Sequence, residues 1–526
     1  MLALATAYFR CRFHDITMSQ PATYNSATKR PSAENQFLLN EFAPRNGSTP
    51  RSARKNTDYH EKQPLFDRGA TAEPVRLTPA WEETNLPNDE LNFKGVTMEQ
   101  ADLEMNPPKD SYPGIALCSG FWITVLVKHW HAKPKLLCSI PYFVDYKLSK
   151  EYTGIESNYV TNFLGYLGFA AQVPNLVFNW LNIFVQIGGN LTTRVVWSIF
   201  IEAVVFIITI ILAMCNSSEW PGFFFWTTMI TVVILNMANG VYQNTVFGMA
   251  AKLPFKYTGA VILGSNVSGT FTAIISLIAS IMAPSIRTAA IYYFITALFV
   301  LLACFDTYFA LPLNRFYRYH ELVHEKEMQR KKKENRGVQP SIPYLTVFLQ
   351  CLPQCFNVFF TFFVTLSIFP AVQADINKSD PNFFVSDELY VSVTCFLTFN
   401  ICALIGSILS TLGSWPSPKY LVIPVVMRVL FIPFFLVCNY HPRKLERKFP
   451  ILVENDWVYW SGAAAMAVSS GYYSSVAMMY CPGSVEPQYA STAGMFGAAS
   501  LISGIFGGIM FTLLMPKLVT IIEWNI

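Results

Sequence analysis

The sequence predicts an all-α polytopic membrane protein of about eleven transmembrane helices, and three observations predict it. Apolar runs, each long enough to cross a bilayer, follow one another from about residue 110 to the C-terminus. Hydrophobic residues make up 52% of the chain and charged residues only 14%. The charges that remain gather in the leader and the loops, above all in one basic segment in the middle of the chain. In hydrocarbon every backbone amide must be paired within its own segment, so runs of this length read as helices and not as soluble core strands.

Residues 1–110 are rich in Ser, Thr, Asn, Pro and Glu. They bury too little surface to offset chain entropy and are expected to form a disordered cytoplasmic tail. Met1 to Phe13 are weakly apolar but interrupted by Arg10 and Arg12, which argues against a cleavable signal peptide. Residues 111–313 hold six spans, at roughly 112–127, 159–181, 195–214, 223–248, 259–282 and 288–311. Residues 314–341 form the basic loop, and residues 342–526 hold five more spans, at roughly 342–369, 389–412, 419–438, 457–480 and 490–515. No soluble domain of useful size is left between them.

Orientation follows from the loop, which carries Arg315, Arg318, Lys326, Arg330, Lys331, Lys332, Lys333 and Arg336. Positive loops stay cytoplasmic, so with six spans before it the N-terminus lies inside too. Candidate glycosylation sites at Asn216 and Asn377 open sequons that then fall outside. Arg443, Lys444, Arg447 and Lys448 oppose this orientation, and the longer basic run outweighs them.

Polar groups inside a span face the bundle interior or an aqueous path. Span four carries Asn236, Asn239, Gln243 and Asn244, of which 236, 239 and 243 share one helical face. Amides donate and accept, which suits a neutral solute bearing hydroxyls and ring nitrogens; equally, they tie neighbouring helices together. Span two adds Gln172, Asn175, Asn179 and Asn182 behind Pro174, and proline bends a helix as central sites often require. Small residues in span five, and Gly494, Gly497, Gly504, Gly507 and Gly508 in span eleven, indicate close helix packing. Glu202 lies in span three, and Arg428 in mid-span nine either serves function or clamps backbone carbonyls. Asp306 and Asp456, near span ends, can snorkel.

Nothing resembles an enzyme's constellation. The seven histidines are scattered; His320 and His324 share one helical face in the basic loop and read as a solvated helix end. The eleven cysteines lack paired spacing and, like Cys304, Cys395, Cys402 and Cys438, read as small buried hydrophobes rather than bridges or metal ligands. No cofactor, no metal and no nucleic-acid partner is expected, while anionic lipid is a candidate partner for Arg330 to Lys333.

The stretch NGVYQNTVFGMAAKLPFKYTGAVILGSNVSGT at 239–270 resembles the equilibrative nucleoside transporter family, as do LPLNRFYRY at 311–319 and FPAV at 369–372. CFLTFNI at 395–401, RVLFIPFFLVCN at 428–439 and SSGYYSSVAMMYCPGSVEPQYASTAG at 469–494 extend the resemblance from about residue 142 to the C-terminus. It implies a major-facilitator-like fold in a 6+5 arrangement and facilitative transport of nucleosides or nucleobases by alternating access, at the plasma membrane. It also implies that Gln243 contacts substrate and that Arg428 is the family's span-nine arginine; Asn239 and Asn175 join them from spacing and from the Pro174 bend. Two departures stand out. Where the family usually carries an aspartate and an arginine in span eight, this chain has Ala403 and Ser407, and the first span lacks the family's LLPWN motif. These losses leave a second reading, a transport-deficient relative acting as a sensor or partner-binding protein.

Overall fold

The computed structural model describes residues 158–185, 190–282, 308, 314–334, 342–442 and 447–521. The leader over 1–110, the first span and, apart from Tyr308, the sixth lie outside the described residues. Spans two to five become α1 (Asn158–Val185), α2 (Leu191–Met214), α3 (Pro221–Ala250) and α4 (Lys256–Met282). Part of the basic loop is helical, as α5 (Arg315–Glu334). Span seven is α6 (Tyr344–Ile368). Span eight comprises α7 (Asp387–Val391), a π turn over Ser392–Leu397 and α8 (Thr398–Leu412). Span nine comprises α9 (Val422–Met427), a 3-10 turn at Arg428–Leu430 and α10 (Phe431–Val437). Span ten is α11 (Asp456–Gly483), span eleven is α12 (Ala490–Thr512), and a short α13 (Met515–Ile521) follows.

The outside of this bundle is its apolar side. Trp197, Phe200 and Ile211 of α2, Ile230 of α3, Leu349 of α6 and Ile405 of α8 are exposed, while the interior mixes apolar side chains with asparagines, serines and threonines. An apolar exterior over a partly polar interior is the pattern of a helix set solvated by lipid, where packing and interhelical hydrogen bonds hold helices together. Among the described residues, five helical stretches are long and apolar enough to cross a bilayer, and Val422–Val437 is a shorter apolar one.

Close packing depends on small residues at two seams. Methyls added at Gly406 and Gly471 would collide with the backbone of Val468 and Ala403 respectively, so α8 and α11 meet backbone to backbone. Along the α6–α12 seam, Gly504 and Gly508 leave room for the backbone of Phe359 and Phe363. Contacts also join spans two to five with spans seven to eleven: α4 packs on α8 and α11, and α12 packs on α1 and α3.

Three local expectations are corrected. His320 and His324 are not at a solvated helix end. The first turn of α5 docks on the α3–α4 turn, burying Phe316 against Tyr257 and Leu253. There burial, and then Lys252, lower the His324 pKa to about 4, while burial raises that of Glu321 against the pull of Lys252. Asp456 does not snorkel. It is buried and accepts from the backbone N–H of Ser379 and Asp380 (3.0 and 2.8 Å) and from the Tyr390 hydroxyl (2.8 Å), stapling a loop to the start of α11. Arg447 is no free loop charge. Its guanidinium donates to the carbonyls of Leu436, Cys438, Tyr440, Phe449 and Pro450, capping the end of α10, where a cation suits the helix dipole.

Candidate functional site

The amides of span four, uniform in sequence, divide into two groups. Asn244 is fully engaged: its Nδ2 donates to Asn179 Oδ1 (3.0 Å) and to the Met495 carbonyl (2.9 Å), and its Oδ1 accepts from Asn182 Nδ2 (2.9 Å). Asn182 also donates to Thr245 Oγ1 (3.1 Å), and Arg194 donates to Asn182 Oδ1 (3.2 Å). This network ties α1, α2, α3 and α12 into one unit. Asn236 is satisfied locally, donating to the Val232 carbonyl of its own helix (2.8 Å).

Asn239 and Gln243 are the other group. Asn239 is 2% exposed, yet neither its Nδ2 nor its Oδ1 has a hydrogen-bond partner, and buried Gln243 leaves its Oε1 unbonded. Asn175 of α1, which meets α3 at Gly240, is likewise buried with Oδ1 unbonded. A Cβ at Gly240 would stand 2.7 Å from the Asn175 carbonyl oxygen and 3.2 Å from its Oδ1, so only glycine admits α1 this close. Native interiors pair nearly all such groups, and each one left unpaired costs about 1–3 kcal/mol. Asn239, Gln243 and Asn175 together hold one amide donor and three acceptors without protein partners.

Arg428 is arranged in the opposite way. It is 2% exposed at the 3-10 turn between α9 and α10, and it donates four hydrogen bonds to protein. These run to Ser469 Oγ (3.1 Å), the Thr361 carbonyl (2.7 Å), Thr365 Oγ1 (2.8 Å) and the Met466 carbonyl (3.2 Å). The guanidinium therefore joins α6, α11 and the broken span nine, and few of its donors remain for a solute. Glu202 is also buried, in α2, with Oε1 unbonded.

At the two departures in span eight, Ser407 is sealed. Its Oγ accepts from Asn266 Nδ2 of α4 (2.6 Å) and from Ser475 Oγ of α11 (3.2 Å), donates to the Gly471 carbonyl of α11 (3.2 Å), and is wholly buried. Ala403 is buried too, its carbonyl within reach of Asn266 Nδ2 (3.4 Å). A hydrogen-bonded cluster of small residues thus bridges α4 to α8 and α11. The α2–α3 seam offers only a shallow crease, with no space for even a water-sized group, lined by Val205, Phe206, Thr209, Thr231, Val232 and Leu235. Both of its hydroxyls are bonded to backbone carbonyls, so it presents no groups aimed at a polar solute.

Asn216 and Asn377 are both exposed. Asn216 Oδ1 accepts from the backbone N–H and hydroxyl of Ser218 (3.2 and 3.0 Å), and Asn377 lies in the loop that Asp456 staples.

A family model described as nucleoside transporter matches residues 229–516. The chain is 31% identical over 374 residues to equilibrative nucleoside transporter 1 of Homo sapiens, a match covering 66% of this chain and 81% of that protein. It is 28% identical over 412 residues to equilibrative nucleoside transporter 2 of Homo sapiens, covering 70% and 88%. Among solved structures, a proton:xylose symporter of the major facilitator superfamily, bound to 6-bromo-6-deoxy-D-glucose, superposes with a TM-score of 0.53 at 12% identity, covering 77% of this chain and 88% of that one. The architecture is major-facilitator-like.

Proposed function

Since the chain belongs to the nucleoside transporter family, we propose that it carries nucleosides or nucleobases down their gradient by alternating access, with Asn239, Gln243 and Asn175 contacting the solute. The single observation that carries this reading is the set of buried, unbonded amide atoms at the α1–α3 seam. A nucleoside leaves water only if its hydroxyls and ring nitrogens find new partners, and uncharged amides supply them without the desolvation penalty of an ion.

Alternating access needs bundles that move against one another about a central site. The Asn266–Ser407 hydrogen bond joins span five to span eight and is suited to form and break as the bundles rock. Arg428 acts as a positioning residue, holding Thr361, Thr365 and α11 in register. The N-terminus and α5 are assigned to the cytoplasmic side of the plasma membrane, and Asn216 and Asn377 to the outside. The basic character of α5 supports this, and the carbonyl cage around Arg447 accounts for one of the four basic residues that oppose it. No observation favours the transport-deficient alternative, because Ala403 and Ser407 are packed and bonded rather than left as a gap.

Uptake of labelled uridine and adenosine in cells lacking endogenous nucleoside transport tests the proposal. Uptake above vector-only cells is expected, falling about tenfold in Gln243→Ala at unchanged surface level, as loss of one hydrogen bond of about 1.4 kcal/mol requires. Protein at the surface without uptake would overturn the transport reading; Gln243→Ala transporting like the parent would remove Gln243 from the site.

A further inference from the structure

Away from the amides, three thiols converge at one end of the bundle. Cys351 and Cys355 lie one turn apart on the same face of α6, and Cys481 approaches them from the last turn of α11. The Cys355 sulfur is 3.7 Å from that of Cys351 and 3.9 Å from that of Cys481, and all three lie within 4.8 Å of one another. All are nearly fully buried, at 0%, 2% and 0% exposure.

We propose that Cys351, Cys355 and Cys481 form a binding site for a thiophilic divalent metal ion of the zinc and cadmium class, joining α6 to α11. The spacing is the first argument. Sulfurs about 2.3 Å from a common ion stand about 3.8 Å apart in a tetrahedral site and about 4.0 Å apart in a trigonal one. The triangle therefore closes on an ion with little movement. A disulfide would instead draw two sulfurs to about 2 Å and leave the third without a role.

The surroundings are the second argument. Val347, Ile183, Ala499 and Phe496 pack around the thiols, and only the Ser500 side chain and the Ala493 carbonyl bring oxygen to them, too few for the shell of oxygens that a hard cation requires. The Cys481 thiol donates to the Ala493 carbonyl (3.2 Å), which places one backbone oxygen beside the triangle for a fourth position. Thiols ligate such an ion as thiolates, so a dication entering the triangle displaces three protons to solvent and forms three metal–sulfur bonds, leaving one net negative charge delocalised over the sulfurs.

The experiment uses the full chain in detergent, reduced and freed of metal, with Cd²⁺ as the probe. Because the chain holds eleven cysteines, the reference is the Cys351→Ser/Cys355→Ser/Cys481→Ser variant, with Cys402→Ser as a control outside the triangle. The parent and Cys402→Ser are expected to bind one more Cd²⁺ per chain than the triple variant. That ion shows sulfur-to-cadmium charge-transfer absorption, releases three protons and raises the unfolding temperature. Equal cadmium binding in parent and triple variant would overturn the proposal, leaving the sulfurs as packing alone. So would an extra ion that survives in Cys481→Ser, since the site would then not bridge the two helices. If the triple serine variant fails to fold, the three single Cys→Ala variants carry the same comparison, each expected to lose the extra ion.

Discussion

Two polar sites in this bundle treat their buried hydrogen-bonding groups in opposite ways. At the turn between α9 and α10, the Arg428 guanidinium gives four hydrogen bonds to protein. At the α1–α3 seam, Asn239 and Gln243 keep buried polar atoms with no partner. Both are costly in hydrocarbon, but the first cost is met within the fold and the second is left standing. The difference teaches that burial of a polar residue in a membrane bundle does not by itself mark a ligand site. What marks it is the part of its hydrogen-bonding capacity that the protein leaves open.

Substitution can break that contrast, and the largest effect belongs to Arg428. Arg428→Ala removes four hydrogen bonds, to the Thr361 and Met466 carbonyls and the Thr365 and Ser469 hydroxyls, and a stability loss of about 3 kcal/mol is expected. It is read as a lowered unfolding temperature, with Arg428→Lys recovering only part because the planar fork is lost. Should Arg428→Ala unfold like the parent while uptake alone falls, the two sites would be alike after all.

Next come the neighbouring asparagines of α3, which sharpen the contrast within one helix. Asn244→Ala breaks the bonds to Asn179, Asn182 and Met495 and is expected to destabilise by about 2 kcal/mol. Asn239→Ala removes two unbonded atoms, so thermal stability is expected to hold or rise while nucleoside uptake falls. Equal destabilisation by both would mean that Asn239 has a structural partner.

The smallest effect lies outside the membrane. His324 has its folded pKa lowered to about 4 from 6.5, so the docked state of α5 favours the neutral ring. A depressed histidine pKa contributes stability that is present above pH 6.5 and lost as pH falls through that value towards 4. Hydrogen exchange in α5 is therefore expected to quicken over that window, and much less so in His324→Gln. The amide cluster, which carries no titrating group, provides the pH-insensitive reference.

Most of the membrane architecture was legible in sequence because an apolar run reports directly on its solvent. The spans that became α1–α4, α6, α11 and α12 lie within a few residues of their expected bounds. Local departures were not legible. The π turn at Ser392–Leu397 and the 3-10 turn at Arg428 answer to neighbouring helices rather than to their own composition. Spacing placed Asn236, Asn239 and Gln243 on one face but could not separate the satisfied from the unsatisfied, since their partners come from other helices or from the same backbone. The thiol triangle escaped for a related reason. Cys351 and Cys355 are one turn apart and visible as a pair, but Cys481 is 126 residues from Cys355 in the chain. Reading each cysteine singly made all three look like apolar filler.

Where α8 crosses α11 at Gly406 and Gly471, backbone rests on backbone and neither helix offers a rotamer to be frozen. Holding that contact costs almost no side-chain entropy. Heat, which acts most strongly on ordered side chains, thus has little purchase there. The seam can serve as an axle whose fit stays constant with temperature while the leucine- and phenylalanine-lined surfaces around it loosen.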